Sequence, residues 1–284
     1  MNLATIIEDG VELAVLVDPH RGVVTASDLD PAAGGDLLAL IRQDRVETLR
    51  RMAAEAPAHR FRPRESVTFT APYRHPRLIW GIGLNYRDHA ADLSEDVPEE
   101  PASFVKGDHT IIGPNEPIPL PPQSERTTSE AELGIVIGSY CRNVEEEDAL
   151  DHVLGVVPVL DQTAEDILQR NPRFLTRSKN FPGFFSFGPE IVPLETVLAQ
   201  IGRLEDVEVS TVVNGSDRRT NVVANMRFSP AFLISFHSKV MPLYPGDILS
   251  PGTPGAIHVR PGDVAECRIP GVGTLRNDVV AAGS

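Results

Sequence analysis

The densest chemistry in the chain lies in Ser129-Glu130-Ala131-Glu132-Leu133-Gly134-Ile135-Val136-Ile137-Gly138. Residues two apart on a strand share a face, so Glu130 and Glu132 point one way. Ala131, Leu133, Ile135 and Ile137 point the other way, into a core. Gly134 and Gly138 fall on the carboxylate face and are expected to leave space there. Two like charges side by side on a strand repel unless something positive stands between them. A hard cation meets that need, because carboxylate oxygens suit Mg2+, Mn2+ or Ca2+. Taken alone, the pair also reads as a solvated edge-strand face. Asp161 supplies a third carboxylate, at the end of the apolar run Val153–Leu160 and just before a helix signal near Thr163. A carboxylate there is costly unless it is paired, hydrogen-bonded or metal-bound; a capping or turn role is the alternative. Three carboxylates would fill half of an octahedral shell and leave the rest to water and substrate oxygens, as Mg2+ sites usually do.

The elements that must position these groups are mostly short strands. Leu78–Gly83, Leu133–Gly138, Val153–Leu160, Val207–Val213 and Val264–Ile269 are apolar runs bounded by Gly and Pro. Helical patterns are fewer: Asn85–Leu93, Glu146–His152, Ala164–Asn171 and Pro230–Lys239. Strands and helices do not alternate, which argues against a doubly wound parallel sheet and for an α+β fold, a mixed β-roll or sandwich with peripheral helices. Residues 1–72 read as a small N-terminal α/β module and residues 73–284 as the catalytic, metal-binding domain. In the module, Leu3–Glu8 and Val11–Val17 flank an Asp9-Gly10 hairpin signal, and Leu37–Ala56 reads as one helix. Asn214-Gly215 is a second hairpin signal.

The 284 residues suffice for a substantial core. A net charge of −14 without a long basic run excludes a nucleic-acid footprint. Apolar runs such as Val153–Leu160 are too short to span a bilayer, and Met1–Gly10 lacks an apolar signal core. Cys141 and Cys267 lie far apart and outside any CxxC pattern, as expected of unpaired thiols in a reducing compartment. A cytoplasmic protein is expected. Gly81-Ile82-Gly83 lacks the later glycine of a dinucleotide loop.

Beyond the carboxylates, Gly81-Ile82-Gly83-Leu84-Asn85-Tyr86-Arg87-Asp88-His89-Ala90 resembles the GxNYxxH segment of the fumarylacetoacetate hydrolase family. The Glu130/Glu132 strand, Asp161, Ser178-Lys179, Phe187-Gly188-Pro189, Val213-Asn214-Gly215 and Pro245-Gly246-Asp247…Gly252-Thr253-Pro254 follow in that family's order. The resemblance runs from about residue 73 to the C-terminus. It implies a mixed β-sandwich roll, commonly a homodimer, with Mg2+ or Mn2+ on Glu130, Glu132 and Asp161. It also implies a small 2-oxo acid substrate of the acylpyruvate or fumarylpyruvate kind. His89 would then be the base that activates water, with Asp92 three residues on as its orienting acid, and Lys179 would hold a substrate oxygen. Tyr86, Thr253 and Arg219 would contact substrate. From the residues alone, His89 also reads as a surface or capping histidine, Lys179 as a solvated loop lysine, and Gly252-Thr253-Pro254 as a structural turn.

A 2-oxo acid can chelate a cation through its carboxylate and keto oxygens. Hydrolysis of the C–C bond in a β-diketo acid and decarboxylation of oxaloacetate both pass through the enolate of pyruvate. The expected activity is therefore the hydrolysis, with a decarboxylase, tautomerase or dienedioate isomerase as alternatives and an inactive metal-binding paralogue as the third possibility. Two departures bear on substrate. Glu165 stands where many relatives have Arg, and Arg219 where they often have Gln. In the simplest physical reading Glu165 and Arg219 compensate one another, directly or through the pocket field; in the other, Arg219 faces the substrate and binds a distal carboxylate while Glu165 points to solvent.

Overall fold

The computed structural model describes residues 1–86 and 98–283, Asp217 by its backbone alone. Among the described residues the strands form three sheets. The central sheet runs Ala102–Lys106, Ile79–Gly83, Ile248–Ser250, Thr127–Ile137, Val153–Ala164, Phe185–Phe187 and Ile111–Ile112, with Ala256–Val259 also paired to Thr127–Ile137. Parallel and antiparallel pairs mix in it, as an α+β roll requires. A second sheet runs Asp217–Val222, Glu208–Val213, Val264–Ile269, Gly273–Ala281 and Ile118–Leu120.

The two long central strands explain the layering. Ala131, Leu133, Ile135 and Ile137, with Val156 and Leu160 opposite, pack on Val209, Val213, Ala265, Cys267 and Leu275 of the second sheet. The other face carries Val136, Val157 and Val159, which join Phe185 and Phe187 in a core shared with Leu3, Leu16, Leu38 and Leu49 of the N-terminal module. The carboxylate face is thus apolar and covered at one end, and polar at the other. The space expected at Gly134 is filled: a Cβ there would meet the Val159 and Val157 side chains at 2.6 and 3.0 Å. Gly138 is equally crowded by Leu154.

The N-terminal hairpin forms as expected, Asn2–Glu8 against Val11–Asp18, with Asp9 and Gly10 both at positive φ. Its sheet takes in Glu190–Ile191 from the larger part of the chain, so the two parts share a sheet as well as a core. The single helix expected over Leu37–Ala56 is two, Leu37–Arg42 and Val46–Glu55. Asp44 adopts φ 54 between them, a left-handed conformation that Asp tolerates and an α-helix does not continue through. Asn85 and Tyr86 are not helical, Tyr86 bridging Met226; the rest of the expected Asn85–Leu93 helix lies outside the described residues. Glu146–His152 is a 3-10 helix. Cys141 and Cys267 are buried and unpaired. No helix among the described residues is long and apolar enough to cross a membrane.

Candidate metal centre

The strand carrying Asp161 does not end there. It runs from Val153 to Ala164, and the helix begins only at Glu165. Asp161 is therefore an interior strand residue, fully buried, rather than a turn or cap. Antiparallel register sets it directly opposite Glu130, with Val159 opposite Glu132. Directly paired residues project to the same side, so the three carboxylates converge. One oxygen from each of Glu130, Glu132 and Asp161 lies within 4.8 Å of the others, and all three residues are buried.

Two lysines hold the cluster together. Lys179, at the end of the Leu175–Lys179 helix, donates to Glu130 Oε2 at 2.8 Å and to Asp161 Oδ2 at 2.7 Å. Lys106 ends the neighbouring Ala102–Lys106 strand and donates to Asp161 Oδ1 at 2.5 Å, with none of its side chain exposed. The Phe104 ring lies 5.0 Å from the Lys179 ammonium, a cation–π distance. Thr163 and Thr128, opposite one another in register, donate to Glu130 Oε1 at 2.6 and 3.2 Å. Glu132 Oε2 accepts from Ser250 Oγ at 2.6 Å and from the Gly252 amide at 2.8 Å.

The electrostatics follow from burial. Desolvation, then the Asp161 charge, pushes the Glu132 carboxyl up to about 8. Burial also lowers Lys106 to about 8. At Lys179 burial works against the ammonium, but Asp161, Glu130 and Glu132 prevail and raise it above the ordinary lysine value. Two buried ammonium groups thus face three buried carboxylates, one of which burial and then the Asp161 charge push toward the neutral form. Such an oxygen-only donor set fits a hard divalent cation, which would relieve that repulsion.

The remaining expected site residues stand as follows. His89 and Asp92 lie outside the described residues. Tyr86 is fully buried; burial and then the Glu132 charge raise its phenol pKa, and its hydroxyl has no partner among the described residues. The Thr253 hydroxyl is engaged within its own turn, accepting from the Gly255 amide at 3.2 Å and donating to the Gly255 carbonyl at 3.3 Å. Arg219 is exposed, and its aliphatic stem packs over Gly255, where a Cβ would stand 2.9 Å from Arg219 Cγ. The direct form of the expected Glu165–Arg219 compensation, an ion pair between the two side chains, does not form. Glu165 is bonded by Arg126, whose main-chain carbonyl also receives the Glu165 amide, so that partner is fixed by the backbone.

Sequence reasoning passed over Lys106, Thr128, Thr163, Ser250 and the Gly252 amide. The threonines were within reach, since each lies two residues from a named carboxylate on its own strand. Nothing local marks Lys106, which ends a strand 55 residues before its partner.

Residues 78–280 match the family described as fumarylacetoacetate (FAA) hydrolase C-terminal. An oxaloacetate tautomerase from Rattus norvegicus mitochondria is 32% identical over 272 residues, 91% of this chain and 84% of that protein. The 4-hydroxyphenylacetate degradation bifunctional isomerase/decarboxylase of Escherichia coli is 38% identical over 75% of this chain and 48% of that protein. The crystal structure of maleylpyruvate hydrolase from Sphingobium sp. SYK-6 superposes with a TM-score of 0.81, at 28% identity, covering 99% of this chain and 100% of that one.

Proposed function

The chain belongs to the fumarylacetoacetate hydrolase family, and from that premise we propose a divalent-cation-dependent enzyme that hydrolyses a C–C bond in a small acylpyruvate-type 2-oxo acid. The observation that carries this reading is the buried trio Glu130, Glu132 and Asp161, two of them bridged by Lys179. When bound to the trio, Mg2+ or Mn2+ would supply a fixed positive charge that polarises the 2-oxo acid and receives its carboxylate.

The chain's own groups do the rest. Ser250 and the Gly252 amide fix the Glu132 carboxylate, Thr163 and Thr128 that of Glu130, and Lys106 that of Asp161. Burial keeps water from screening these charges. Lys179 donates an ammonium N–H hydrogen bond to a substrate oxygen. In the reaction a water oxygen adds to the distal carbonyl carbon. The bond from that carbon to the methylene breaks, and its electron pair passes to the pyruvate portion as the enolate. A carboxylic acid leaves, and the methylene takes the proton that the base removed from water, giving pyruvate. His89, oriented by Asp92, is proposed as the base for that water.

The likeness to the rat tautomerase over 91% of the chain favours a second reading, keto–enol interconversion of an oxaloacetate-like acid, which needs the same cluster and no water addition. A panel of acylpyruvates and oxaloacetate, with Mg2+, with Mn2+ and with chelator, separates the two. Cation-dependent release of pyruvate and a carboxylic acid supports hydrolysis; loss of enol absorbance without cleavage supports tautomerisation. Absence of cation-dependent turnover for every 2-oxo acid sinks both. His89→Ala is expected to lower kcat and leave Mn2+ affinity unchanged. We also propose a homodimer, which light scattering tests.

A further inference from the structure

Asn85 belongs to the Gly-Leu-Asn-Tyr stretch, and neither the cation site nor the hydrolysis assigns it a task. It is 1% exposed, and every polar atom of its carboxamide is used. Oδ1 accepts from the Phe228 amide at 2.9 Å. Nδ2 donates to the Phe228 carbonyl at 3.0 Å and to the Pro251 carbonyl at 2.7 Å. One N–H donor and two carbonyl acceptors around it leave a single orientation of the amide that satisfies all three.

The Pro251 carbonyl and the Gly252 amide are two ends of one peptide group. In a trans peptide they point in opposite directions. Asn85 therefore grips one end of this peptide at 2.7 Å while the other end donates to Glu132 Oε2 at 2.8 Å. Rotation of the peptide would break both bonds. Donation to the carbonyl also polarises the peptide and makes its N–H a better donor, since hydrogen bonds in a chain reinforce one another at low dielectric. Gly252 sits at φ +110, and a Cβ there would stand 3.0 Å from Asn85 Cβ and 3.2 Å from the Ile82 carbonyl, so only glycine lets the peptide come this close.

We propose that Asn85 is a positioning residue for the cation site, acting on Glu132 through the Pro251–Gly252 peptide. It fixes which way Glu132 Oε2 is held and so which way Oε1 is presented to a cation. The proposal rests on the cation reading of the trio. It adds that the segment leading toward His89 is tied to the same carboxylate.

Mn2+ titration followed by electron paramagnetic resonance tests it. Asn85→Asp keeps the size and the acceptor for the Phe228 amide but loses the donors to the Phe228 and Pro251 carbonyls. Its Mn2+ dissociation constant is expected to rise about ten- to a hundredfold, the usual cost of losing an outer partner of a ligand. A merely structural role would lower the melting temperature and leave Mn2+ affinity alone, and wild-type affinity in the folded variant overturns the proposal. Where Asn85→Asp does not fold, the metal-free Glu132→Gln protein reads the relay from the other end. Replacing the carboxyl group by a carboxamide changes the acceptor of the Gly252 amide and should shift the NMR resonances of both that amide and the Asn85 side-chain amide; an unmoved Asn85 amide overturns the relay. If wild type binds no Mn2+, the cation reading is what fails, and the resonance comparison, which needs no metal, decides the relay alone.

Discussion

Asp161 and Glu130 face one another across adjacent antiparallel strands, and one ammonium, Lys179 Nζ, donates to both, at 2.7 and 2.8 Å. Two buried carboxylates in direct register would repel, and the lysine makes the pairing tolerable.

Lys179→Met should therefore destabilise the metal-free protein by about 3–5 kcal/mol, because removing one partner leaves buried charge uncompensated. Urea denaturation in chelator measures this. Adding Mn2+ should recover part of the loss, since a cation can take over the bridging charge. A metal-free variant as stable as wild type would show that Lys179 does not hold the cluster.

Cation binding itself should be visible in stability. At a hundredfold excess over its dissociation constant, a ligand of the folded state adds about 2.7 kcal/mol. Calorimetry should find one Mn2+ per chain, lost in Glu132→Gln or strongly weakened. Chelator should abolish turnover, and Mg2+ or Mn2+ should restore it. Full turnover in rigorously metal-free protein contradicts this.

Gly81 matters for a reason of volume. A Cβ there would stand 2.2 Å from Phe104 Cζ, and that ring lies beneath the Lys179 ammonium. Gly81→Ala should displace the ring, cost about 1–3 kcal/mol by overpacking and reduce kcat together with stability. Phe104→Leu in the same chain should return part of the stability by making room. An unchanged melting temperature in Gly81→Ala would show that the ring can move freely.

For Glu165 the bonded partner is Arg126. A double-mutant cycle on Glu165→Ala and Arg126→Ala should give a coupling below about 1 kcal/mol, since the Arg126 side chain is 55% exposed. The cycle of Glu165→Ala with Arg219→Ala should be additive within about 0.5 kcal/mol. Coupling in the second cycle and none in the first would reverse the assignment.

Much of the site was legible in the chain. The two-residue period placed Glu130 and Glu132 together and sent Ala131, Leu133, Ile135 and Ile137 into the core, where they are. Asp9-Gly10 and Asn214-Gly215 announced their turns through the positive φ such residues adopt cheaply. These are properties of a few neighbouring residues, so sequence determines them. Tertiary structure decided the rest. The register that sets Asp161 opposite Glu130 depends on strand pairing, and a slip of one residue would have turned Asp161 to the other face. Whether the carboxylate face had room at Gly134 depended on Val157 and Val159, which lie across the strand pair. Nothing in the chain singles out Lys106. It becomes part of the site because folding buries it against a carboxylate 55 residues away, and at low dielectric a buried charge requires a partner that no local pattern names.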